Sequence, residues 1–64
     1  MIKVNGELKD LDGITAEKLL EELGYSTQRV AVELNMEILP KAEYGTVVLK
    51  DGDSLEIVRF VGGG

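Results

Sequence analysis

Gly62, Gly63 and Gly64 close the sequence behind Arg59-Phe60-Val61, so a hydrophobic segment runs into a carboxylate through residues that have no side chains. Glycine makes up about 7% of ordinary residues, so such a run at one fixed place is a coincidence on the order of a few in ten thousand. Lacking Cβ, Gly62 and Gly63 can thread a narrow channel and take the φ/ψ angles that a neighbouring active site imposes. Extended at about 3.3–3.6 Å per residue, the run carries the Gly64 carboxylate about 10 Å past a folded body. A terminal carboxyl with a pKa of about 3.3–3.7 is ionised at neutral pH and is a poor electrophile. Chemistry at Gly64 therefore requires activation by another molecule. The bland alternative is a frayed end without a task.

No other residues compete strongly for a chemical role. Cys 0 and His 0 remove the thiolate nucleophile, the imidazole base, the disulfide and the Cys/His zinc site. Asp51 and Asp53 around Gly52 look like a fragment of a calcium loop, but an EF-hand spreads oxygen ligands over about twelve positions; turn chemistry explains them better. Glu21 and Glu22 read as the solvated face of a helix rather than as a catalytic pair. With a net charge of −5 and no Lys/Arg cluster along the chain, nucleic acid is not an expected partner. No apolar run approaches the roughly 18 residues of a membrane span, and Met1 opens onto a strand-like segment. A cytoplasmic, metal-free, non-catalytic protein is expected.

The elements that must hold the terminus in place are legible from period and punctuation. Ile2 and Val4 alternate with polar residues, and Asn5-Gly6 supplies the positive φ angles of a two-residue type I′ turn into a second strand over about Glu7 to Leu11. Ala16, Leu19, Leu20 and Leu23 then fall at helical spacing. Thr15 is the expected cap, Glu17 lies in the first turn, Ile14 can staple to Leu19, and Gly24 suits the left-handed position after the last turn. Val30 to Leu34 reads as a strand, and Asn35-Met36 as a tight turn into Glu37-Ile38-Leu39. Met36 at positive φ costs about 1–2 kcal/mol, which favours a different turn type there. Pro40 ends that strand, and Tyr44 is expected over one end of the core.

Ser54 to Phe60 is the closing strand, with Leu55 and Ile57 on one face and Glu56 and Val58 on the other. The order β-β-α-β-β-β predicts an α+β, two-layer architecture, one helix on one face of a sheet whose first and last strands are central neighbours. At sixty-four residues the chain is one domain, with a stability of a few kcal/mol.

"VAVELNMEILP", "VVLKDGDSLEIVRFVGGG" and the initial "IKVNGE", in a chain this short, resemble the ubiquitin-like β-grasp proteins, and within them the sulfur carriers of thiamine biosynthesis. The resemblance spans nearly the whole chain. It departs at Met36, where the family often has glycine, and at the additional Gly62. It implies a mixed sheet of about four or five strands packed on one helix, with a body over 1–61 and a flexible glycine tail over 62–64. It also implies that a ubiquitin-activating-like adenylyltransferase uses ATP to adenylate Gly64, after which sulfur from a cysteine desulfurase converts the adenylate to a thiocarboxylate. Thiazole synthase then takes that sulfur.

On this reading the chain binds no cofactor of its own, is a monomer when free, and is a cosubstrate rather than an enzyme. The exposed sheet face and the tail's base are the expected docking surface. Phe60 and Val61 either contact the partner or finish the core, and Arg59 either pairs with an acidic partner group or lies in solvent. Rival readings are the small subunit of molybdopterin synthase, which is generally longer, a protein modifier conjugated through Gly64, and a plain β-grasp interaction domain.

Overall fold

The computed structural model describes residues 1–60. Ile2–Val4 (β1) and Glu7–Lys9 (β2) form an antiparallel hairpin in which Val4 faces Glu7. Asn5 and Gly6 take φ angles of 49° and 86°, the left-handed pair a type I′ turn demands. β2 stops at Lys9, short of the expected Leu11. It is an edge strand, and the register Ile2 to Lys9 exhausts its only partner.

Ala16–Glu22 forms the one α-helix among the described residues, α1. The Thr15 hydroxyl oxygen accepts the Lys18 N–H at 3.1 Å, closing the first turn. At the other end Gly24 has φ 83°, while Tyr25 N–H reaches Leu20 O at 2.9 Å and Gly24 N–H reaches Glu21 O at 3.1 Å. That pair of bonds is a Schellman cap, which needs a residue tolerant of positive φ at Gly24. Ala16, Leu19 and Leu20 are buried, whereas Glu21 and Glu22 face solvent.

Val30–Leu34 (β3), Glu37–Leu39 (β4) and Ser54–Arg59 (β5) complete a five-stranded sheet in the order β2-β1-β5-β3-β4. β5 runs parallel to β1 and antiparallel to β3, so the first and last strands are indeed central neighbours. One helix on one face of this mixed sheet gives the two-layer α+β fold.

The core lies between the layers. Ile2, Val4, Val30, Val32, Leu55 and Ile57 point inward from the sheet against Leu19 and Leu20, and Leu39, Tyr44 and Leu49 close the perimeter. The apolar Val47–Leu49 stretch stays outside the sheet. Its backbone laces the approach to α1 instead, through Ala16 N–H to Val47 O at 3.1 Å and Leu49 N–H to Ile14 O at 2.8 Å.

The Asn35-Met36 turn corrects the expectation of another turn type. Asn35 and Met36 have φ of 52° and 72°, so the turn is left-handed at both positions despite the Cβ of Met36. Pairing of Leu34 with Glu37 leaves room for only a two-residue connection, and the right-handed twist of the strands selects the primed turn.

Candidate functional site

β5 delivers the chain to Phe60, so whatever fixes β5 fixes the point from which the following residues depart. Its pairing with β1 runs only through Ser54 and Leu55. Beyond that point the Asn5 side chain takes over the role of the missing strand: its carbonyl oxygen accepts the Ile57 N–H at 2.7 Å and its amide donates to Ile57 O at 3.2 Å. The second hairpin turn does something similar at the other end of β5. Asn35 accepts the Ser54 N–H at 2.9 Å and donates to Asp53 Oδ1 at 3.1 Å.

Asp53 anchors the entry to β5. Only 4% exposed, it accepts the Lys50 N–H at 2.9 Å on Oδ2 and lies 3.3 Å from the Lys50 ammonium on Oδ1. Burial alone pushes such a carboxyl up. Here the bonds from the Lys50 backbone, the Asn35 amide and the Lys50 ammonium outweigh it, and the Asp53 pKa lies below its ordinary value of 3.8. Asp53 is thus a turn residue, as its spacing with Asp51 suggested. Among the described residues no group of three or more His, Cys, Asp or Glu is placed to hold a metal ion.

At its far end β5 is tied to the start of β3. Arg59 pairs with Val30, and Phe60 N–H donates to Arg29 O at 2.9 Å. Phe60 lies just past the strand rather than within it and is 56% exposed, so it does not finish the core. Lys41 Nζ sits 5.5 Å from its ring centroid, and the Arg59 guanidinium sits 4.8 Å from the centroid of Tyr25. Tyr25, Arg29, Val30, Arg59 and Phe60 line an open groove of about 270 Å³. Of the site residues expected from sequence, Phe60 is placed here; Val61, Gly62, Gly63 and Gly64 lie outside the described residues.

The sheet face turned away from α1 is continuous with this corner. Across β5 and β3, Val58 faces Ala31 and Glu56 faces Glu33; across β3 and β4, Glu33 faces Ile38. Ile38 and Val58 are exposed, as is Met36 at the turn beyond. The face is therefore apolar with a central pair of carboxylates, a pairing that costs rather than adds stability. Sequence reading located the sheet face and Phe60 but missed the cationic corner. Arg29, Lys41 and Arg59 are far apart along the chain, and only the β3–β5 pairing and the loop after Pro40 bring them to one place.

The sequence model of the ThiS family matches residues 2–64. The chain belongs to the ThiS family. It is 41% identical to the sulfur carrier protein ThiS of Thermus thermophilus over 64 residues, the whole of both chains. It is 52% identical over 62 residues, 95% of its own length, to a thiazole synthase of Paramagnetospirillum magneticum. The chain spans only 19% and 20% of the length of the thiazole synthases it matches. The ThiS fold seen here also superposes on the crystal structure of a thiamine biosynthesis protein (ThiS) from Geobacter metallireducens, with a TM-score of 0.78 and 33% identity, covering 98% of this chain and 97% of the other. The β-grasp architecture anticipated from the sequence is therefore that of the family. No helix among the described residues is long and apolar enough to cross a membrane.

Proposed function

We propose that this ThiS-family chain carries sulfur on the carboxyl group of Gly64 for thiazole formation in thiamine biosynthesis. The body over 1–61 presents the glycines 62–64 to a ubiquitin-activating-like adenylyltransferase. There a Gly64 carboxylate oxygen attacks the α-phosphorus of ATP and pyrophosphate leaves. The outer sulfur of a persulfide charged by a cysteine desulfurase then displaces AMP from the acyl carbon to give an acyl disulfide. A second thiol, on a partner protein, attacks the persulfide carrier's inner sulfur, forming a disulfide there and releasing the thiocarboxylate that thiazole synthase consumes.

The chain is a cosubstrate in this scheme, binds no cofactor itself, and works as a cytoplasmic monomer without nucleic acid or membrane partners. Its lack of cysteine suits the role, because no internal thiol is present to attack the activated acyl group. The observation that carries the reading is the family match running through Gly64, joined by full-length similarity to a protein named as a sulfur carrier. Similarity to thiazole synthases supports the choice of acceptor.

Intact mass of the protein, isolated from cells holding its own activation system, tests this. The expected result is a gain matching replacement of one oxygen by sulfur, localised to Gly64 and sensitive to a thiol-alkylating reagent. Deleting Gly63 and Gly64 should abolish the gain with the fold intact. Sulfur transfer by that shortened chain would sink the proposal, and covalent conjugates to lysine amines would point to a protein modifier instead.

A further inference from the structure

We propose that Arg29, Arg59 and Lys41 form a cationic collar at the root of the glycine segment, and that it docks the acidic rim of the channel receiving that segment on the adenylyltransferase. The inference rests on the reading that Gly64 is activated by that partner. Its own support comes from where charge sits on this molecule.

The chain has 7 Lys and Arg against 12 Asp and Glu. Lys9, Lys18 and Lys50 each lie within 4.0 Å of a carboxylate, as salt bridges to Glu7, Glu22 and Asp53. Arg29, Lys41 and Arg59 have no such partner among the described residues, and all are exposed around Phe60. The fourth cation without a salt bridge among the described residues, Lys3, lies on β1 between Leu8 and Ser54, so three of the four unneutralised cations of this acidic protein share one corner.

Two of these side chains are also held in place: Lys41 Nζ donates to Gln28 O at 2.9 Å while lying over Phe60, and Arg59 stacks on Tyr25. The backbone of Arg29 is tied to the same corner, its carbonyl accepting the Phe60 N–H. Cations already stacked on aromatic rings lose less freedom on pairing with a carboxylate than free ones do.

Any protein that receives the residues after Phe60 must come into contact with this corner. A basic rim would be repelled here. An acidic rim would be drawn to this corner and repelled by the Glu33 and Glu56 pair on the adjoining sheet face, which fixes the orientation of approach. The groove between Tyr25 and Phe60 gives the same rim an apolar floor.

The test is carrier-dependent ATP–pyrophosphate exchange by the adenylyltransferase from the same source, followed against carrier concentration at low and high salt. The double variant Arg29→Glu with Arg59→Glu should raise KM about tenfold or more at low salt with kcat unchanged, the gap closing as salt screens the contact. Lys18→Glu, on the helix, should behave as the wild type. Arg29→Gln and Arg59→Gln keep size and polarity, so each should shift KM in the same direction even where the double variant folds poorly. Wild-type KM and salt dependence in folded Gln variants would overturn the collar alone. Failure of the wild type itself to support exchange would overturn the sulfur-carrier reading and the collar with it.

Discussion

Asn5, Asn35 and Asp53 each do work at the residue scale that composition does not disclose. Both asparagines occupy left-handed turn positions, where Asn is tolerated, and both bind β5 through their side chains. A carboxylate in place of either amide keeps the acceptor and loses the donor. Asp53→Ala leaves the Lys50 N–H and the Asn35 amide without a partner in a nearly buried site, and is expected to cost about 1–3 kcal/mol by urea denaturation at neutral pH. Because the folded pKa of Asp53 is lowered, its contribution is complete above the ordinary value of 3.8 and is lost as the pH falls through the folded value. The gap between wild type and Asp53→Ala should therefore shrink below about pH 4. A gap of constant size down to pH 2 would show that the ionised carboxylate is not its source.

At the scale of elements, local signals were sufficient wherever one residue decides the backbone. Asn5-Gly6, Thr15 and Gly24 mark a turn and both helix ends correctly, since each satisfies a backbone requirement of its immediate neighbours. The extent of β2 and the left-handed Met36 were not legible, because both are imposed by a partner strand. Tyr44 was anticipated near the core and is fully part of it, at 3% exposure. The cationic corner was illegible for the same reason as the turn: its members meet only through pairing between distant segments.

Met36 provides a direct test of what pairing imposes. It is 93% exposed and so contributes no packing. Met36→Gly removes about 1–2 kcal/mol of left-handed strain and adds about 0.5–1 kcal/mol of unfolded-state entropy. A net stabilisation of about 0.5–1 kcal/mol is expected, visible as a rise of a few degrees in Tm. A lower Tm would mean that the Met36 side chain makes a contact its exposure does not suggest.

For the molecule as a whole, the sheet order decides how the body becomes a body. β5 lies between β1 and β3 and touches the former across about fifty positions of sequence, as in the pairing of Lys3 with Ser54. Without it the β1–β2 and β3–β4 hairpins have no common neighbour and α1 has no continuous surface to cover. A chain ended at Asp53 is therefore expected to show no cooperative thermal transition by circular dichroism, and a cooperative one would mean the hairpins can associate directly. During synthesis, at about 5–20 residues per second, every other described element emerges before β5. The nascent protein thus waits unfolded until its central strand clears the ribosome, and Phe60 follows that strand immediately. Translation products ended within or before β5 never display a finished corner beside Phe60, so an enzyme that recognises this corner rejects such fragments without a separate proofreading step.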